Sequence, residues 1–171
     1  LSEVPAFKFI NQQRDTITNR SYKGKVFVVE FFFSTCPSIC PVMNTNMLKI
    51  QEAYKDNESF GIASFTIDPL NDTPEVLKEY ADKYGANHSQ WNFLTGDKSD
   101  ILKLSNEGFK LYAAENEEAE GGFEHSGLFA LIDQEGFVRS RIDEYGNPII
   151  YYNGLEDEGV NMLIEYIRKL L

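Results

Sequence analysis

Lys25-Val26-Phe27-Val28-Val29-Glu30-Phe31-Phe32-Phe33-Ser34-Thr35-Cys36-Pro37-Ser38-Ile39-Cys40-Pro41 decides the architecture of this 171-residue chain. Lys25 to Phe33 is a nearly unbroken run of β-branched and aromatic residues, the pattern of a strand buried on both faces. Downstream, Val42 to Tyr54 carries apolar residues at Val42, Met43, Met47, Leu48, Ile50 and Tyr54 with no glycine, which predicts an amphipathic helix. The only two cysteines, Cys36 and Cys40, therefore fall where a central strand turns into a helix. That is the carboxyl end of a strand, where open α/β sheets place their chemistry.

Cys36 and Cys40 are four residues apart, so within a first helical turn they share one face, with Cβ atoms roughly 5–6 Å apart. This spacing suits two thiolates converging on one soft metal ion, and it also lies within reach of a disulfide. A helix N-terminus favours a thiolate in either case, because its N–H groups lack partners and the macrodipole is positive there. Pro37 and Pro41 fit the same place, since a proline early in a helix gives up an N–H that had no acceptor. Spacing alone leaves a redox pair and a metal site equally open.

Composition sets the bounds. A hydrophobic fraction of 42% and a charged fraction of 25% are ordinary for a globular protein, and the length is that of one domain over residues 1–171. The net charge of −11 repels phosphate backbones and anionic lipid, so no nucleic-acid partner is expected. The acidity reads first as solubility. No apolar run is long enough to span a bilayer, and Leu1 opens no basic and apolar leader. Two cysteines in a chain of this length make a local thiol function rather than a disulfide scaffold.

Along the chain, Ala6–Ile10 and Asp15–Thr18 read as short extended pieces of an entry segment that starts at Leu1, and 19–24 as a polar turn. Phe60–Ile67 reads as a second buried strand, giving a parallel pair with a right-handed crossover. Asp72 or Thr73 can cap the next helix, with Pro74 at its first position and Gly85 stopping it. Trp91–Leu94 is a short strand, and Asp97 to Asp100 opens a helix with Ile101, Leu102 and Leu104 inward. The acidic Glu115–Gly122 stretch reads as a mobile surface loop. Ser126–Ile132 and Phe137–Ile142 read as two strands of a hairpin around 133–136, followed by an extended or turning 145–153. Glu156–Leu171 closes the chain as a helix with Val160, Leu163, Ile164, Ile167 and Leu171 on one stripe. This order predicts an α/β thioredoxin-like fold: a central mixed sheet flanked by helices, an inserted strand and helix, and a C-terminal hairpin plus helix.

Only two histidines exist. His88, in the polar Gly85–Gln90 loop, reads as a solvated residue. His125 stands just before a hydrophobic strand, and in a thioredoxin-like arrangement it faces the cysteine turn; a redox disulfide needs no imidazole there, whereas a metal site does. Thr35-Cys36-Pro37-Ser38-Ile39-Cys40-Pro41, Thr66-Ile67-Asp68-Pro69 with Asp72-Thr73-Pro74, Leu94-Thr95-Gly96, and His125-Ser126 with Leu131-Ile132-Asp133 together resemble the Sco/SenC family. The resemblance runs from about Lys23 onward; Glu124 departs from it, since many members carry Asp before the histidine.

The resemblance implies a thioredoxin-fold copper metallochaperone whose copper, Cu(I) or Cu(II), is held by Cys36, Cys40 and His125. It implies delivery of copper to the dinuclear centre of cytochrome c oxidase subunit II, or reduction of that subunit's cysteines, with a copper donor protein upstream. It also implies a monomer in the bacterial periplasm or at the outer face of the cell membrane, tethered by an N-terminal segment beyond these residues. The residue chemistry agrees: two thiolates and one imidazole form a soft three-ligand set with a side left open, although zinc also accepts such a set. Asp68 either orients a ligand or simply begins its turn, Asp72 reads as a cap, Met43 and Met47 as core, and Phe123 as a shield beside the histidine.

Two other classes remain in view. One is a thiol-disulfide oxidoreductase using Cys36 and Cys40 as a catalytic pair, against which stand the longer spacing and the lack of any proline between Pro74 and Pro148. The other is a peroxidase with Cys36 as nucleophile, which only the fold would support. A binding and transfer protein is thus expected ahead of an enzyme.

Overall fold

A computed structural model describes residues 2–142 and 145–171; Leu1, where the entry segment starts, lies outside them. The entry segment forms a small antiparallel hairpin, β1 (Lys8–Ile10) with β2 (Thr16–Thr18). A single turn of 3-10 helix over Asn19–Tyr22 then leads into β3 (Val26–Phe32), all seven residues of which are buried.

α1 (Ile39–Ala53) begins three residues earlier than the apolar spacing predicts, because Pro41 sits in the first turn, where a missing N–H costs nothing. β4 (Phe60–Thr66) is parallel to β3 and equally buried, as a crossover through α1 requires. α2 (Pro74–Tyr84) has the expected limits. The Thr73 hydroxyl accepts the Val76 N–H at 3.3 Å, and Gly85 closes the helix in the left-handed region at φ 73°. β5 (Trp91–Leu94) extends the parallel set. α3 (Lys98–Lys103), capped by Asp97, runs on into a π-turn over Leu104–Gly108.

The acidic stretch read as a surface loop forms the tip of a hairpin, β6 (Ala113–Glu115) with β7 (Phe123–His125). Asn116 organises it: its N–H donates to Gly122 O at 2.9 Å, its carbonyl accepts from Ala119 N–H, and its side chain accepts from Glu118 N–H. β8 (Leu128–Ile132) returns to the main sheet, antiparallel to β3.

The C-terminal hairpin differs from its expected form. The turn at 133–136 forms, but among the described residues Phe137–Ile142 pairs with β8 through the Ile132–Val138 bridge and the Arg139 N–H on Leu131 O rather than as a strand. Further on, β9 (Arg141–Ile142) pairs with β10 (Pro148–Ile149) outside the sheet. The partner of β8 on the side away from β3 is β11 (Tyr151–Asn153), within the segment read only as extended or turning. α4 (Asp157–Leu170) ends the chain, with Val160, Leu163 and Ile167 buried and Leu171 out in solvent.

The five-stranded sheet has the order β11-β8-β3-β4-β5, so β3 is its centre. α1 packs against α2 and α4 over it. Met43 and Met47 are fully buried core residues, as their helical spacing implies. His88 is a correction: it is buried rather than solvated, its Nε2 meeting Tyr54 O at 3.1 Å and its Nδ1 accepting the Gln90 N–H at 3.0 Å. Among the described residues no helix is long and apolar enough to cross a membrane.

Candidate metal centre

The end of β3 projects Phe33 to Pro37 out of the sheet before α1 begins. Cys36 N–H donates back to Phe33 O at 3.1 Å, a tight turn that brings the Cys36 sulfur over the first turn of the helix. There the sulfur accepts the Cys40 N–H at 3.5 Å. Ser38, at the N-cap position, offers no side-chain bond, so the sulfur stands in for the usual capping oxygen.

The cysteines carry no disulfide, and both are nearly closed to solvent, Cys36 at 8% and Cys40 at 1% exposure. Their environments push them apart. A hydrogen bond from Cys40 is the largest reason that Cys36 is lowered to about 4, with His125 and the N–H groups of Cys40 and Ser38 adding to it. Burial is the largest reason that Cys40 is pushed far up, with the Cys36 charge and buried Glu30 opposing a second anion. The surroundings thus favour a thiolate at 36 and disfavour one at 40.

His125 comes from the other side. Its Nε2 lies 2.8 Å from the Cys40 sulfur, and its Nδ1 lies 2.9 Å from Ser126 O. A carbonyl only accepts, so Nδ1 holds a proton, and Nε2 is the ring nitrogen that faces the sulfurs. One ligand atom from each of Cys36, Cys40 and His125 lies within 4.8 Å of the others, the single such group of three among the described residues. Closing onto one ion at bond lengths near 2.3 Å takes only small side-chain movements.

The surroundings leave one face accessible. A shallow cleft of about 200 Å³ opens beside Cys36 and His125, walled by Phe33, Ile39 and Phe123 with Glu124 at its rim. Phe123 packs on Phe33 at 5.3 Å and Phe33 meets the His125 ring edge-on at 5.8 Å, the shielding expected of it. Two buried thiols, one imidazole and an apolar wall suit a soft ion with an open position for exchange.

Asp68 does not join the group. Its carbonyl accepts from the Asn71 and Asp72 N–H groups, and its carboxylate, raised by partial burial and by the nearby Asp72 charge, makes no hydrogen bond to the three side chains. Asp72 in turn does not cap α2, which Thr73 does; its carboxylate turns inward. Three contributors escaped the sequence reading. Glu30 is the one visible in principle, a single carboxylate in an otherwise apolar run. It is fully buried and pushed up to about 7 by desolvation, with Oε2 accepting from Ser64 Oγ at 2.6 Å and no partner for Oε1 among the described residues. The Ser126 carbonyl carries no sequence signal. Nor does Asn106, whose amide bonds both the N–H and the carbonyl of Ala113, directly opposite His125.

A family model described as SCO1/SenC matches residues 2–158. The chain belongs to the SCO1/SenC family. A SCO1/SenC family lipoprotein from Bacillus anthracis str. Ames superposes with a TM-score of 0.84 at 32% identity, covering 98% of this chain and 94% of that one. BsSco, described as a member of the Sco family of cytochrome c oxidase assembly proteins in which a disulfide switch was identified, gives 0.80 at 32% over 98% and 92%. Bradyrhizobium japonicum ScoI, solved with copper bound, gives 0.77 at 22% over 99% and 100%, a likeness of fold. The SCO1/SenC chain thus has the thioredoxin-like α/β architecture expected of it.

Proposed function

We propose that this SCO1/SenC chain carries copper on Cys36, Cys40 and His125, as a single monomeric domain, and passes it to subunit II during the assembly of cytochrome c oxidase. The observation that carries the reading is the convergence of two sulfurs and one nitrogen from two separate parts of the chain. The donor set is soft, as copper prefers, and three protein ligands leave a coordination position free for an acceptor's thiol or imidazole. The assembly role of BsSco and the copper held by ScoI support the same direction. The B. anthracis lipoprotein supports a site facing outward from a bacterial membrane, on a chain anchored at its N-terminus.

Copper here is cargo. The Cys36 thiolate, seated on the Cys40 N–H, meets the ion first; the Cys40 thiol then gives up its proton, and His125 Nε2, aimed by Ser126 O, closes the set. The test is Cu(I) titration of the reduced protein against a competing chelator, with one ion per chain expected. His125→Ala should weaken binding while leaving a Cys36–Cys40 disulfide able to form. A variant that held copper as tightly as the parent would remove His125 from the set.

A second reading, thiol-disulfide exchange by the same pair, is favoured by the Cys36 thiolate beside a Cys40 thiol. Against it stand the four-residue spacing of the cysteines and the lack of any proline between Pro74 and Pro148. Slow reduction of insulin disulfides is expected, and rapid turnover would make this reading the leading one.

A further inference from the structure

Asp72 has no exposed surface, and among the described residues no cation pairs with it, yet four donors point at its carboxylate. Ser34 gives both its backbone N–H, at 3.0 Å, and its hydroxyl; Thr66 gives its hydroxyl at 2.5 Å, and Asn71 its side-chain amide at 3.0 Å. A carboxylate taken out of water keeps its charge only through such donors. Their origin matters more than their number. Ser34 stands two residues before Cys36, Thr66 is the last residue of β4, and Asn71 belongs to the loop that follows. α2 does not call on this side chain, since Thr73 is its cap.

We propose that Asp72 is a positioning residue for the dithiol: by clamping Ser34 to the end of β4 it fixes the turn that lays the Cys36 sulfur on the Cys40 N–H and leaves the Cys40 sulfur facing His125. The inference rests on Cys36 and Cys40 being the working thiols. Asp72→Asn keeps the size of the side chain but turns an NH₂ toward hydrogen-bond donors, so at least one of those bonds is lost.

The test uses the full chain with Asp72→Asn, Ser34→Ala, the pair combined, and Gln51→Ala as a control. Gln51 is a buried polar side chain of α1 that holds the 85–88 loop, bonding Gly85 O and the N–H groups of Asn87 and His88. Three quantities are read: thermal midpoint, Cu(I) affinity, and the dithiol–disulfide equilibrium in glutathione buffers. In those buffers oxidised glutathione takes two electrons from Cys36 and Cys40, the Cys36–Cys40 bond forms, and two reduced glutathiones leave with the Cys40 proton and one from solvent. Asp72→Asn should move both the equilibrium constant and the Cu(I) affinity by about tenfold or more, as losing a partner behind a ligand does. Ser34→Ala should move both the same way by less, and the combined variant by less than the product. Gln51→Ala should lower the thermal midpoint and leave the other two unchanged.

Wild-type equilibrium constants in Asp72→Asn and Ser34→Ala, with only the midpoint lowered, would overturn the proposal. Should Asp72→Asn not fold, Ser34→Ala alone decides by the same criterion. Should the parent chain take up no Cu(I), the copper reading fails while the disulfide equilibrium still tests Asp72.

Discussion

Cys36 and Cys40 leave a strand whose seven residues are all buried at the centre of a five-stranded sheet, whereas His125 ends a three-residue strand whose residues are all half-buried, in a two-stranded hairpin outside that sheet. The thiol side is held by β4, by β8 and by the Asp72 clamp. The imidazole side is held by the Asn106 amide, by the Lys98–Glu115 ion pair, and by Gly121, whose left-handed backbone lets the hairpin tip rest on Phe33 and Thr35. An isolated two-stranded ribbon is marginal in water, so the two sides open at different free energies. The site thus joins two donors beside the central sheet to one carried by a small hairpin outside it.

The largest effects should separate the two sides directly. Cys36→Ser or Cys40→Ser should abolish measurable Cu(I) retention against a strong chelator, while His125→Ala loses on the order of a hundredfold or less. Because Cys36 is lowered and Cys40 is pushed up, each ion bound at pH 8 and above should displace about one proton, that of Cys40. Affinity should therefore rise about tenfold per pH unit, and a slope of two protons, read by titration in a weak buffer, would break the asymmetry between the thiols.

Next in size is Glu30, which shows that the buried side is not built for stability alone. Its folded value of about 7 exceeds the unfolded one, so the protonated form is the one folding favours. Below about pH 4 the group costs nothing. Stability falls as pH rises through that interval, and above pH 7 the full cost of about 3 kcal/mol applies. Glu30→Gln should raise stability by that order at pH 8 and leave it unchanged at pH 4, as read by urea unfolding at both pH values.

Smaller effects belong to the hairpin. Gly121→Ala should cost about 1–2 kcal/mol, since φ is +76° and the added Cβ would stand 2.7 Å from the Phe33 ring. Copper affinity should drop with it, while the Cys36–Cys40 equilibrium in glutathione should not move; equal losses in both would erase the distinction between the sides. Asn106→Ala should act in the same sense at about 1 kcal/mol, visible as faster amide hydrogen exchange in β7 than in β3.

The parts of the molecule legible in advance were those with local causes. Lys25–Phe33 could be only a buried strand, and Thr73-Pro74 with Gly85 carried both ends of α2. The three converging residues were legible because cysteine and histidine are scarce in this chain and their chemistry is narrow. What stayed hidden depended on contacts distant in sequence. β11 earns its place only by lying beside β8, and nothing within Tyr151–Asn153 says so. His88 is buried because the main chain of Tyr54 and Gln90 satisfies both ring nitrogens. The 115–122 stretch looked mobile by its acidity, yet one asparagine orders its turn through backbone groups that composition does not reveal. Asp72 fits the cap pattern as well as Thr73 does, and only the nearness of Ser34 and Thr66 draws it inward.

The sulfur of Cys36 closes the leading edge of α1 in place of a hydroxyl, and it accepts best while it is negative. Oxidation to a disulfide leaves that atom neutral and a poor acceptor, so the amide at the tip of the helix loses its counterpart just where Ile39 borders the open cleft. The charge on one sulfur and the closure of the first turn of α1 are therefore the same contact.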